Sequence, residues 1–468
     1  MQIPILNGVF ADNIADYRTS FPTNMIPVPK KTGVSEGYLR TAPGLTLFSQ
    51  GTGIDRGGIN WNNELYRVSG NSLLKIAKDG SITNLGNIDG KLQCTLYYSF
   101  DDLAICTYGL AYLYNPTKGL RQITDSDLGV VFDTVWIDGY WIYTDGEFLI
   151  QSELSDPASF VTTKYGSSEA DPDPIRAVAK LRNELYAINR YTTEIFQNVG
   201  GNNFAFQRVP GAIVNVGCVG PRAKEYIGDG IIFVGSSRNE PPGVHYIEGA
   251  QSAKVSTREI DIILSEYSEE QLNNYVNLDV IQIYSHEFTV IYMPNHTLVW
   301  DKAASEASGQ PVWFFLSSQV DASMPFRGQN AVWCYERWTF GDARDGRIGS
   351  WDFSIATQYG QDVGWKFDTQ LLFNETKGFI IHSMELTGLP GKGDLGQNPG
   401  IFSSYTKDGV TWSDEKVHAA GKQGEYQKRI VWRRCGVSRQ YRGIRFRSAN
   451  SNPIAFARLD LEIEALNG

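Results

Sequence analysis

Four residues, Asn63-Glu64-Leu65-Tyr66, recur as Asn183-Glu184-Leu185-Tyr186. The first copy begins a short apolar/polar alternation, NELYRVSG, that ends in a turn residue, and it predicts a half-buried strand of about five residues. Looser versions of the unit lie between and beyond the two copies. Each has a turn or acidic pair, a short apolar strand, a Gly/Asn turn and a second strand, and they recur at spacings of roughly 37 to 57 residues. Such a unit cannot bury both faces of its small sheet alone, so several must stack around an axis. Strand-rich repeats of this period favour propeller blades over solenoid turns.

Seven candidate units run from Gly57 to about Thr357. They centre on Glu64–Gly86, Leu103–Gly119, Tyr140–Ile150, Glu184–Val209, Gly230–Ile247, Phe288–Trp300 and Arg337–Phe353, with hairpin turns such as Asp79-Gly80 and Asp145-Gly146 inside them. The count is about seven; six or eight also fit, because the later spacings lengthen. Between the fifth and sixth units, Ser268-Glu269-Glu270-Gln271 has the form of a capping box, which predicts an inserted helix over about 268–277.

Residues 1–50 hold Pro4, Pro22, Pro27, Pro29 and Pro43 with almost no periodicity, which predicts an extended segment. Phe21, Met25, Ile26, Tyr38 and Leu39 are too apolar for a solvated linker, so this N-terminal arm is expected to pack on the body or on a neighbouring subunit. After about Gly364 short strands continue without blade-like pairing, and the Gly388–Gly400 stretch reads as a long loop. The expectation is all-β: an arm over 1–50, a β-propeller over 51–363 and a C-terminal β-sandwich-like domain over 364–468.

Composition agrees and narrows the function. Twenty-four Tyr, 23 Phe, 11 Trp and 47 Gly suit pleated surfaces joined by turns. A net charge of −10 disfavours a protein that wraps nucleic acid, since phosphate binding is driven by Lys and Arg. Five scattered cysteines without a CxxC pair argue against a disulfide framework or structural zinc, and point to a chain folded in a reducing cytosol. The sequence MQIPILNGVF has no basic n-region, and no run approaches a membrane helix, so the sequons at Asn295 and Asn374 carry little weight.

No catalytic or cofactor motif emerges. The five histidines have no metal-ligand spacing. Gly391-Lys392-Gly393 fails as a phosphate loop because position 386 is Leu and no Ser or Thr follows the lysine. Asp342, Asp345 and Asp352 depart from a calcium-loop pattern and read as turn residues. One electrostatic feature stands out. Lys428, Arg429, Arg433, Arg434, Arg439, Arg442, Arg445 and Arg447 crowd a stretch whose single acid is Glu425. A solvated strand face is the plain reading. The sharper one is an interface with an acidic protein or with DNA phosphate, to which Arg forks are suited.

The chain resembles the tail hub family of short-tailed bacteriophages, also called nozzle or packaged-DNA stabilisation proteins. The matching residues are spread along the whole length. They include Asn24-Met25, Gly37-Tyr38-Leu39-Arg40, Pro43-Gly44, Arg56-Gly57, Tyr66-Arg67-Val68, Glu269-Glu270, Ser285-His286-Glu287, His296, Asp301, Asp408-Gly409, Lys428-Arg429, Val431-Trp432, Arg434 and Gly436. The resemblance implies a non-enzymatic virion protein, assembled in the host cytoplasm as a hexameric ring below the portal and adaptor. It implies contacts with a tail needle or plug and with tailspikes or fibres, and DNA passing through the lumen without sequence-specific binding or membrane insertion. The competing reading is a carbohydrate-binding or glycan-cleaving propeller. Exposed aromatics in one pocket beside two carboxylates would favour it, whereas aromatics buried between blades favour the hub.

Overall fold

Each Asn-Glu-Leu-Tyr copy is a tight turn feeding the second strand of a small sheet. Asn62 and Asn63 take φ of +54° and +60°, a left-handed conformation that asparagine tolerates. Leu65 and Leu185 then point into the core. The Tyr66 and Tyr186 hydroxyls donate to Glu64 and Glu184, two residues back on the same strand face, at 3.2 and 3.1 Å. A computed structural model describes residues 1–11, 16–154, 156–375, 377–393 and 395–466.

Among the described residues seven such sheets form a propeller. Blade one is an antiparallel meander of Asp55–Trp61, Glu64–Ser69, Ser72–Ile76 and Ile82–Asn87. Blade two runs from Thr95–Tyr98 to Gly119–Gln122, blade three from Asp133–Ile137 to Phe160–Ser167 and blade four from Ile175–Leu181 to Phe206–Val214. In blade five, Gly217–Cys218 and Lys224–Ile227 share the place of one inner strand, and the outer strand is Gln251–Lys254. Blade six spans Asn277–Ile283 to Trp313–Phe315. The first strands of neighbouring blades touch, which places them around the axis. Aromatics fill the wedges between blades. Trp61, Tyr66 and Tyr114 pack together where blade one meets blade two, and Trp141, Tyr143 and Phe160 join blade-two residues in the next wedge.

Blade seven shows how the ring closes. Its chain supplies only Gly328–Cys334, Arg337–Asp342 and Arg347–Asp352, and the fourth strand is Gly44–Gln50. The register runs from Asp352 opposite Gly44 to Arg347 opposite Gln50. The propeller boundary expected at residue 51 therefore moves N-terminally. A last blade with three strands would leave an unpaired edge, and the residues just before blade one cover it.

The rest of the N-terminal segment is likewise built into sheets. Met25–Val28, Tyr38–Thr41 and Gln2–Ile3 join Ala455–Ala465, Phe379–Gly388 and Val431–Ser438 in one sheet of the C-terminal sandwich. The facing sheet holds Gly364–Asp368, Tyr441–Ala449, Gly400–Thr406 and Lys416–Ala419. Trp365, Phe367, Trp432, Phe446 and Phe456 dominate the core between them, joined by Ile3, Ile5, Met25 and Leu39 from the N-terminal segment. Thr23-Asn24 pins the sandwich to blade six. The Asn24 amide donates to Ser317 and Gly364 carbonyls at 3.2 and 2.6 Å, while its Oδ1 accepts from Ser317 N at 2.8 Å.

Among the described residues three short helices interrupt the propeller: α1 (Arg258–Ser265), α2 (Glu269–Tyr275) and α3 (Lys302–Ser308). The capping box at Ser268 and Gln271 starts α2 as the sequence predicts. The other two lack that signal. Thr257 makes no side-chain cap to α1, and Asp301 caps α3 directly after a buried strand.

Candidate functional site

The axis of the propeller carries a ring of buried polar groups. Asp55, on the first strand of blade one, accepts from Arg67 Nη1 at 3.1 Å and from Asn330 Nδ2 of blade seven at 2.8 Å. Asn330 Oδ1 in turn accepts from Asn277 of blade six and Arg222 of blade five, at 2.9 and 3.1 Å. Lys224 of blade five lies 2.8 Å from Asp133 of blade three, whose same oxygen accepts the Val178 N–H of blade four at 2.9 Å. Arg56 completes the circuit by donating to the carbonyls of Ile88, Asp89 and Leu92, ahead of blade two. Gly341 makes room for this hub, since a Cβ there would stand 1.9 Å from the Asp55 side chain. Buried charges persist only when paired and hydrogen-bonded, so this ring fixes how the blades sit against one another.

Inside the ring lies a cavity of about 720 Å³, open toward the loop after the blade-two inner strand. Tyr97, Tyr98, Phe100, Trp136 and Tyr226 line it together with Lys180, Glu225 and Asp279. Burial pushes the Asp279 carboxyl up to about 6, although Arg222 and the Ala331 N–H oppose the shift. Burial raises Glu225 as well.

The basic stretch divides into paired and free residues. Arg445 grips Asp368 through two bonds of 2.7 and 2.8 Å, and Arg447 holds Glu415 at 2.6 Å. Arg429 bonds Glu385 at 2.7 Å and Lys428 bonds Glu425 at 3.1 Å. Arg442 is buried, its guanidinium stacked 3.9 Å from the Tyr405 ring centroid. Arg433, Arg434 and Arg439 are exposed, with no ion pair among the described residues. They lie on or just beyond Val431–Ser438, the edge strand of its sheet. A bulge there puts Arg434 at φ +56°.

The histidines have local duties. His286 sits 2.6 Å from buried Asp301, and His296 lies 2.7 Å from the Tyr267 hydroxyl. Among the described residues no three metal-capable side chains converge, and no helix is long and apolar enough to cross a membrane. All five cysteines are buried free thiols.

Comparison with known proteins connects this geometry to a family. The bacteriophage P22 Gp10 β-propeller model matches residues 1–356. The chain belongs to the bacteriophage P22 Gp10 family. A second model of that family, its β-sandwich, matches residues 364–464. The tail hub protein gp10 of Salmonella phage P22 is 25% identical over 99% of both chains. Solved structures are more distant. PorZ, a surface component of the type-IX secretion system of Porphyromonas gingivalis, shows 11% identity and a TM-score of 0.39 over 80% of this chain and 46% of that one. The N-terminal domain of Nup159 shows 9% and 0.39, over 69% and 97%.

As a member of the Gp10 family the chain is a structural component of a phage tail, not an enzyme. Several residues that carry the family resemblance are the pins of the fold. Arg56 and Arg67 hold the axial ring, Asn24 joins propeller to sandwich, and Arg434 and Gly436 shape the edge-strand bulge.

Proposed function

We propose that copies of this chain form a ring, a hexamer, beneath the portal and its adaptor. The ring continues the DNA channel, retains packaged DNA and anchors the tail needle or plug together with tailspikes or fibres. The observation that carries this reading is the match to the P22 tail hub protein along 99% of both chains. The construction supports it: a closed propeller joined to a sandwich through shared N-terminal strands suits a rigid mechanical sleeve. Assembly takes place in the host cytoplasm.

The electrostatics divide the surface by role. The acidic surplus, −10 overall, faces the lumen, where it repels DNA and lets it slide. The exposed edge carrying Arg433, Arg434 and Arg439 faces an acidic protein surface of the tail, where Arg forks pair with carboxylates. A retention assay tests the reading. Heads matured without this chain are expected to lose their DNA to added nuclease, and purified chain should restore protection. Heads that keep their DNA without it would overturn the retention role.

A further inference from the structure

We propose that the axial cavity of the propeller binds a neutral saccharide, giving this structural protein a carbohydrate-recognition site. The lining decides the ligand class. Its charged side chains are three carboxylates, Asp133, Glu225 and Asp279, and three cations, Lys180, Arg222 and Lys224. Asp133 and Lys224 neutralise each other at 2.8 Å, and Arg222 is committed to Asn277 and Asn330. Among the described residues Glu225 accepts only from the adjacent Tyr226 N–H, so it retains acceptor capacity toward the cavity, and Lys180 has no carboxylate partner. An anion would meet Glu225 and Asp279, and a cation would meet Lys180 and Arg222. A neutral ligand rich in hydroxyls satisfies both sets, because each hydroxyl donates and accepts.

The aromatic wall supplies the other half of sugar recognition. Phe100, 82% exposed, stands at the mouth with its ring edge-on to Trp136 at 5.3 Å. Beside it Tyr98 is 48% exposed and stacks on Tyr97 at 6.1 Å. Such rings accept the C–H face of a pyranose while its hydroxyls reach the charged groups deeper in. A volume of about 720 Å³ lies within the range of small-molecule sites and admits a short oligosaccharide. Glu225 and Phe100 belong to blades five and two, so their juxtaposition exists only once the ring has closed.

The full-length chain, fluorescently labelled, can be applied to a microarray of bacterial-surface oligosaccharides, with chitotriose and maltotriose included. Array hits are then titrated by saturation-transfer-difference NMR. The expected result is saturable binding that weakens at least tenfold in Phe100→Ala and in Glu225→Gln. Trp333→Ala, which removes an exposed aromatic outside the cavity, should bind as the native chain does. Phe100 lies on an exposed turn, so its variant should fold, and circular dichroism verifies this. No saccharide bound above background, or binding untouched by both cavity variants, would overturn the assignment.

Discussion

Removing the Arg67 cation tests whether the axial ring holds the propeller closed. Arg67 is fully buried and donates to Asp55, to the Asn330 and Thr339 carbonyls and to Thr339 Oγ1, at 2.8 to 3.2 Å. Arg67→Met preserves most of the side-chain length but leaves Asp55 buried with an amide as its main remaining partner. Breaking one partner of a buried pair costs about 3–5 kcal/mol, because the surviving charge is uncompensated. With about 2.1 cal/mol/K of unfolding entropy per residue over roughly 310 propeller residues, that cost lowers Tm by about 5–8 °C. Circular-dichroism melts at matched scan rates, with rescans to verify reversibility, measure it. Adding Asp55→Asn removes the orphan charge and should recover at least half of the loss. A fall of under about 1 °C, or a double variant no better than the single one, would refute the argument.

Other predictions address pH, charge and closure. The folded Asp279 carboxyl, at about 6 against 3.8 unfolded, stabilises fully below 3.8 and loses that contribution as pH rises through 6. Asp279→Asn should therefore flatten the change in urea midpoint between pH 4 and 7. His245 runs the other way: burial holds it near 4 against 6.5 unfolded, so its contribution is present above 6.5 and lost as pH falls through 4. His245→Gln should remove that acid sensitivity in the same titration. Converting Arg433, Arg434 and Arg439 together to Glu should move Tm by less than about 2 °C, because the three are exposed, yet weaken co-assembly with tail partners in sedimentation. Deleting residues 1–50 strips the fourth strand from blade seven and three strands from the sandwich, so size-exclusion chromatography should show aggregate in place of the soluble native species.

Local signals carried the fold a long way. The Asn-Glu-Leu-Tyr turn, the Asp-Gly hairpins and the Ser268 capping box each act within a few residues, and each marks the element found there. The inner strands were harder to see. Thr95–Tyr98 has four residues, and blade five splits its inner position between two short pieces. The closing strand was invisible because Gly44 meets Asp352, a pairing fixed by ring geometry rather than by neighbouring sequence. The ion pairs within the basic stretch are hidden in the same way. Its acids lie far along the chain, with Arg445 and Asp368 separated by 77 residues and Arg429 and Glu385 by 44. The axial cavity gave no signal of its own, since its lining is gathered from all seven blades, from the run Thr95 to Phe100 of blade two to the single residues Asp279 and Ala331 of blades six and seven.

Cryo-electron microscopy of the purified chain bound to its adaptor tests the central claim most directly. The account predicts closed rings in which each subunit shows a seven-bladed propeller sealed by Gly44–Gln50, with Arg433, Arg434 and Arg439 against protein and an acidic wall toward the lumen. Subunits that stay monomeric beside the adaptor, or a lumen lined by those three arginines, would contradict it.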